Sequence, residues 1–313
     1  MQIGIDMMGG DFAPLEAVKG IQQLIAEADK TIHLVLFGDQ EQIKPHLLAH
    51  SIPEDRFTIV HAPQVIDMHE HPTKALKEKR ESSIAIGFNM LATGKIDAFI
   101  SAGNTGAMLV GALYSLKPVE GVLRPTISTI IPKEDGSTGL LLDVGLNSDC
   151  KPEHLNQFAV MGAVYAQQIL GVAAPRVALL NIGEEEGKGN LLAQAAYPIL
   201  KENKNIDFIG NVEGRDVFMN KSDVIVCDGF TGNIILKMAE SFYDITQRQD
   251  MRNGYFDRFN FENYGGTPVL GISKPVIIGH GISKGLAFKN MILLSQKMIA
   301  TNLLEKLQTE LSA

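Results

Sequence analysis

The chain has 313 residues, 45% of them hydrophobic and 20% charged, a balance that excludes a disordered or fibrous protein and is long enough for a buried core. Its net charge of −8 excludes a general nucleic-acid binder, because phosphate backbones are held by Lys and Arg. An anionic ligand must therefore meet a local positive site, and the two cysteines, Cys150 and Cys227, are too few for a disulfide framework.

The chain opens on MQIGIDMMGG, which reads as a strand and a glycine turn and lacks the zones of a signal peptide. With the cysteine usage, this points to a reducing cytoplasm. Apolar, β-branched runs then recur: IGID near Ile3, HLVLFGD from His33, FTIVHA from Phe57, AFISAG from Ala98 and STIIP from Ser128. GLLLDVG from Gly139, RVALLNIG from Arg176, DFIGNV from Asp207, DVIVCDG from Asp223 and PVIIGHG from Pro275 continue the series. Segments of helical length and period lie between many of them, such as APLEAVKGIQQLIAEA (13–28) and EHLNQFAVMGAVYAQQIL (153–170). Continuous apolarity marks strands buried on both faces, and strand–helix alternation marks a parallel sheet. The expected fold is doubly wound α/β, a largely parallel sheet in an α/β/α sandwich, with 1–313 as one domain. No run approaches the ~20 apolar residues that cross a bilayer, so any membrane contact is expected to be peripheral.

One stretch breaks the alternation. Residues 239–263, AESFYDITQRQDMRNGYFDRFNFEN, mix charge with six aromatics and read as a projecting helical excursion. Those aromatics either pack on the body or a twin subunit, or form an apolar tip that touches a membrane or partner.

Ligands of a doubly wound sheet sit beyond the carboxyl ends of its strands. Six such ends share a composition: MMGGDFAP, SAGNTGAM, DVGLNSDCKPEH, NIGEEEGKGN, GNVEGRD and CDGFTGNI. Glycine lets a ligand approach the backbone, and a following helix offers free N–H groups, so these loops together read as an anion site. The dinucleotide fingerprint and the nucleotide P-loop both fail on spacing, since Gly183 to Lys188 is one residue short and Gly189 stands where a hydroxyl residue belongs. No G-x-S-x-G elbow occurs, and Cys227 reads as a buried structural thiol. The group Asp67, His69, Glu70 and His71 lacks ligand spacing because Pro72 breaks the periodicity, so no metal and no other cofactor is expected.

Lys188 and Arg215 are the cations set inside these glycine-rich ends; lysine suits a phosphate or carbonyl oxygen, and arginine grips an oxyanion bidentately. The bland alternative for Lys188 is a surface salt bridge to Glu184 or Glu185. Asn104, Asn190 and Asn233 carry amide donors suited to a developing oxyanion. The neighbouring glutamates would orient Lys188 or cap the next helix. TKALKEKRESS, with Lys74, Lys77, Lys79 and Arg80 ahead of Ser82 and Ser83, is either a solvated helix face or a landing patch for an acidic partner.

The order of these blocks, from IDMMGGDFAP through SAGNTGAM, LDVGLNSDCKPEHLNQFAVMG, LLNIGEEEGKGN, FIGNVEGRDV and CDGFTGNIILKMAE to YGGTPVLG and IIGHG, resembles the phosphate acyltransferase (PlsX) family of bacterial phospholipid synthesis. The resemblance spans the chain and implies transfer of a long-chain acyl group from acyl carrier protein to inorganic phosphate. It also implies a homodimer, a fold akin to phosphotransacetylases and isocitrate dehydrogenases, and contact with the inner face of the membrane. Phosphate attacking a thioester needs an anion cradle and oxyanion stabilisation but no enzyme nucleophile. By the family pattern Lys188 and Asn233 act at the reacting centre. Asp6, Gly9, Gly10, Asn104, Thr105, Asn147, Asn190, Arg215 and Asp228 line the pocket, and Lys74, Lys77, Lys79 and Arg80 dock the carrier protein. Leu146 and Ser148 depart from that pattern. The alternatives are a phosphotransacetylase-like enzyme using acyl-CoA, which the basic stretch disfavours; a dehydrogenase, disfavoured by the missing fingerprint; and a non-catalytic carrier-binding scaffold at the membrane.

Overall fold

Each of the ten apolar runs forms a strand. They are β1 (Gln2–Asp6), β2 (His33–Gly38), β3 (Phe57–His61), β4 (Ala98–Ser101), β5 (Thr126–Pro132), β6 (Thr138–Leu142), β7 (Arg176–Asn181), β8 (Asp207–Glu213), β9 (Val224–Val226) and, past an unpredicted β10 (Thr267–Leu270), β11 (Val276–Ile278). The helices are α1 (Leu15–Ala26), α2 (Gln40–Ala49), α3 (Pro72–Glu78), α4 (Ser83–Ala92), α5 (Thr105–Ser115), α6 (Pro152–Tyr165), α7 (Leu191–Glu202), α8 (Gly229–Arg248), α9 (Gly285–Ala300) and α10 (Leu303–Ser312). This computed structural model describes residues 1–27, 31–251 and 253–312; Ala28 of the first predicted helix and Arg252 of the aromatic segment lie outside them.

The chain divides into two compact units, Met1–Lys117 with Phe261–Ala300, and Pro118–Asn260 with Thr301–Ala313. In the first, the strands run in the order β3-β2-β1-β4-β11-β10, parallel except that β10 runs against β11. Register sets Ile5 beside both Leu36 and Ile100, so the carboxyl end of β1 emerges between those of β2 and β4. Helices α1 and α9 pair closely because Gly20 faces Phe288 and Gly285, and α4 pairs with α5 because Gly111 faces the Phe88 ring. The all-buried strands Ile3–Asp6 and Ala98–Ser101 explain why the sequence runs are continuous rather than alternating.

In the second unit the order is β5-β6-β9-β7-β8, parallel except that β5 runs against β6. Leu142 is in register with Val226, so Asp143 and Cys227 leave the sheet side by side. Helix α6 packs on β6, β7 and β9 and is flanked by α7 and α10. It continues into a single wider turn, Ala166–Leu170, that Gly171 ends in the left-handed region at φ 77°.

The aromatic stretch is not a separate helix; α8 begins ten residues earlier, at Gly229, and ends at Arg248. Phe242 of α8 and, beyond that helix, Tyr255, Phe256 and Phe259 close on one another, mostly edge to face, and through Phe218 on the body of the second unit, with centroids 5.3–6.4 Å apart. Arg258 donates to the carbonyls of Lys133 and Ser137, fastening the turn to the β5–β6 hairpin. These contacts follow the packing alternative for the aromatics. Among the described residues no helix is long and apolar enough to cross a membrane.

Candidate active site

The predicted residues fall into one cluster in each unit. In the first unit the cluster is built on Asp6, which is 1% exposed at the end of β1. Its carboxyl accepts from the Ser101 hydroxyl (2.6 Å), from Ser83 at the start of α4, and from the backbone of Met8 (3.0 Å) and Gly9. Burial pushes the Asp6 carboxyl above the usual carboxylate range, and these hydrogen bonds pull against that shift. The predicted pocket-lining Asp6 is thus a buried anchor that ties three loops together. Gly9 must be glycine here, because a Cβ would lie 2.5 Å from Asp6 Oδ2 and 2.6 Å from the Gly103 nitrogen. Gly10 adopts φ 96° beside Gly281.

Asn104 is the N-cap of α5: its Oδ1 accepts from Ala107 N, and its Nδ2 faces the carbonyls of Asp67, Met68 and Glu70. Its amide donor is spent on that loop. Thr105 follows, exposed on the first turn. Lys79 is likewise turned inward, donating to the Val65 carbonyl and the Glu70 carboxylate, and its hydrogen bond holds the Glu70 carboxyl below the usual range. Lys74, Lys77 and Arg80 stay exposed, so the basic patch consists of three cations. Among the described residues no group of three or more His, Cys, Asp or Glu side chains could hold a metal.

The second unit's cluster is built on an aspartate that sequence reasoning missed. Asp143 is fully buried, and its two oxygens accept from the backbone of Gly145 (3.2 Å), Leu146 (3.1 Å) and Asn147 (2.7 Å) and from Asn147 Nδ2 (2.8 Å). Asn147, predicted to line the pocket, is instead buried and holds this loop, also donating to the Pro125 carbonyl. Its own carbonyl accepts from Gly229 N at 2.7 Å, docking the first turn of α8. Gly232 lies so close that a Cβ would sit 1.9 Å from the Asp143 carbonyl oxygen. The next residue, exposed Asn233, donates from Nδ2 to the Val144 carbonyl (3.1 Å). The departures from the family pattern are accommodated: Ser148 is exposed and Leu146 half-buried.

The loop after β7 answers why one lysine stands among glutamates. Asn181 Nδ2 donates to the Lys188 carbonyl (3.0 Å), closing residues 182–188 into a compact excursion. Gly189, at φ 97°, passes so near Asn181 that a Cβ would lie 2.3 Å from its Oδ1. Glu184 is bound by Lys221 and Glu186 by Lys201, leaving Glu185, whose carboxylate is 4.0 Å from Lys188 Nζ. The expected cap of α7 is not a glutamate; Asn190 Oδ1 takes that role, accepting from Ala193 N at 2.9 Å. Asp228 likewise caps α8, accepting from Thr231 N and Oγ1, both at 2.9 Å.

Asn190, Arg215 and Asp228 meet at one cavity of about 860 Å³, with Asn181, Cys227 and Thr231 beside them and Leu155, Leu179, Leu192 and Ile235 as apolar wall. Arg215 is exposed at the rim and pairs with Glu213 at 2.7 Å. Lys188 and Asn233 are not among the residues that line this space. Cys227 is buried as predicted, and burial, then the charges of Asp228 and Asp143, push its thiol up. An apolar run that ends in Asp is the signal common to Asp6, Asp143 and Asp228, and it would have found Asp143.

Comparison with known proteins places this arrangement. A family model described as fatty acid synthesis protein matches residues 1–251. The phosphate acyltransferase of Dictyoglomus turgidum is 43% identical over 327 residues, covering 98% of this chain and 96% of the relative. That of Syntrophomonas wolfei is 43% identical over 317 residues, covering 100% and 99%. Among solved structures, a phosphotransacetylase from Streptococcus pyogenes matches with a TM-score of 0.67 at 17% identity, over 96% of this chain and 94% of that one. A branched-chain phosphotransacylase from Enterococcus faecalis matches at 0.65 and 15%, over 96% and 99%. The structural likenesses establish the α/β fold; the sequence relatives establish more, and the chain belongs to the phosphate acyltransferase family and is an acyltransferase.

Proposed function

We propose that the enzyme takes a long-chain acyl group from the thioester of acyl carrier protein and transfers it to inorganic phosphate, supplying acyl phosphate for phospholipid synthesis. A phosphate oxygen attacks the thioester carbonyl, the carbon–sulfur bond breaks, and the carrier leaves as a thiolate that takes up a proton. The protein supplies position and charge, not a nucleophile, and the raised thiol of Cys227 fits that division of labour. Lys188 is assigned the phosphate or oxyanion charge and Asn233 the amide that meets the carbonyl oxygen. Asp6, Gly9, Gly10, Asn104, Thr105 and Asn147 are assigned to shaping the loops, and Asn190, Arg215 and Asp228 to the polar wall of the cavity.

The observation that carries the reading is that cavity, because it joins Arg215 and two helix N-termini to an extended apolar wall, as an anion and an acyl group together require. Exposed Lys74, Lys77 and Arg80 support docking of an acidic carrier protein over a small CoA donor. Phe230, Ile234, Met238 and Ile245 are exposed along one helix, spaced for one face of α8, and support a homodimer or a peripheral bilayer contact in the cytoplasm. Light scattering and liposome flotation decide between those two.

The test mixes purified protein, palmitoyl carrier protein and labelled phosphate and looks for an acyl phosphate that hydroxylamine destroys. Lys188→Ala is expected to lower turnover about hundredfold, as loss of an oxyanion partner does. Undiminished turnover would remove Lys188 from the site, and no product with carrier protein or CoA thioesters would remove the reading.

A further inference from the structure

We infer that the cavity of the second unit holds the alkyl chain of the acyl donor and that Leu155, Leu192 and Ile235 set the chain length accepted; this rests on the acyl-transfer reading above. The space is two-sided. Asn181, Asn190, Glu213, Arg215, Asp228 and Thr231 supply its polar groups, while Leu155, Leu179, Leu192 and Ile235 supply an aliphatic wall. Leu155 and Leu179 are 2% and 1% exposed, so the floor is held by the unit's own core and does not collapse into the space. Leu192 on α7 and Ile235 on α8 are half-buried, each offering apolar surface from a different helix. Ile182, at the rim, is 82% exposed, an aliphatic side chain left in water where a chain would pass.

An alkyl chain matches the aliphatic wall of this lining. The amide-bearing arm of a carrier protein would need hydrogen-bond partners along its length, which the polar residues can offer and the wall of Leu155, Leu179, Leu192 and Ile235 cannot. Each methylene taken from water onto such a wall is worth about fourfold in affinity. Chain length is then read by how far the methylenes run before they meet Leu155.

The first unit has a second cavity, of about 520 Å³, that includes Leu76, Phe88 and Val110, and it provides the control. Palmitoyl and butyryl carrier protein are compared as donors for the wild-type chain and for Ile235→Trp, Leu192→Trp, Leu155→Ala and Val110→Trp. Two of these fill the space from different helices, so a folding failure in one does not remove the test. Ile235→Trp and Leu192→Trp are expected to lower kcat/KM for the palmitoyl donor about fourfold for every methylene displaced, and to leave the butyryl donor within about twofold. Leu155→Ala shifts preference toward longer chains, and Val110→Trp changes neither donor. Equal losses on both donors, no loss on either, or a chain-length shift from Val110→Trp would overturn the inference while the acyl-transfer reading stood. No product from the wild-type chain with either donor overturns that reading, and the inference with it.

Discussion

Asp6 and Asp143 each end or follow a strand at a loop cluster, and each carboxyl is shut away from water at 1% and 0% exposure, yet their partners differ in kind. Asp6 is met by two serine hydroxyls as well as by backbone N–H groups. Asp143 is met by N–H groups alone, three from backbone and one from the Asn147 amide within 3.2 Å. A hydroxyl can turn to donate or accept, whereas an N–H can only donate. The first cluster therefore tolerates a neutral group at its centre, and the second requires an acceptor at both oxygens. What hangs on them differs too: Asp6 gathers three loops, while Asp143 holds the loop on which α8, and with it Asn233, is seated.

Asp143→Asn should break the symmetry most. Its new NH₂ would face N–H donors and orphan at least two of them, at ~1–3 kcal/mol each, so about 3 kcal/mol of local stability is lost. Amide exchange at Gly145, Leu146 and Asn147 should accelerate about a hundredfold while Met8 and Gly9 are unchanged. Unchanged exchange at 145–147 would mean the loop does not depend on the carboxylate. Gly232→Ala attacks the same seat from the helix side. With a backbone oxygen 1.9 Å from the added carbon, α8 must shift, at a cost of about 2 kcal/mol, and turnover should fall with it. Turnover and urea midpoint both equal to wild type would show that the first turn of α8 moves freely.

Much of the fold could be read from the sequence because buried parallel strands leave continuous apolar runs; only β10 escaped, being four residues long with Pro268 inside it. The two-unit division leaves no compositional mark, since the chain crosses at Lys117, Asn260 and Ala300 without a linker. The six glycine-rich strand ends were legible as loops, but their side-chain roles were not. Asn104, Asn190 and Asp228 share the composition of an anion site and of a helix N-cap, and only coordinates show the capping bonds. Lys79 looked identical to its three basic neighbours, because the turn that points it at Glu70 is a tertiary effect. Asp143 is marked in the sequence only by its place at the end of an apolar run, and nothing in DVGLNSD shows the N–H groups that surround it.

Asp6→Asn should be milder, about 1 kcal/mol, since the Ser101 and Ser83 hydroxyls can reorient toward an amide. Its value lies in the pH dependence. Burial raises the Asp6 carboxyl in the folded chain, so the folded state keeps its proton where the unfolded state has released it. The stabilisation from that proton is fully present below the unfolded value of 3.8 and is lost as pH rises through the folded one. The gap in urea midpoint between the wild-type chain and Asp6→Asn should therefore narrow as pH rises above the unfolded value of 3.8, the other titrating groups cancelling in the difference. A gap that widens with pH would mean that Asp6 is stabilised as a carboxylate, and the contrast in partner chemistry between the two clusters would no longer separate them.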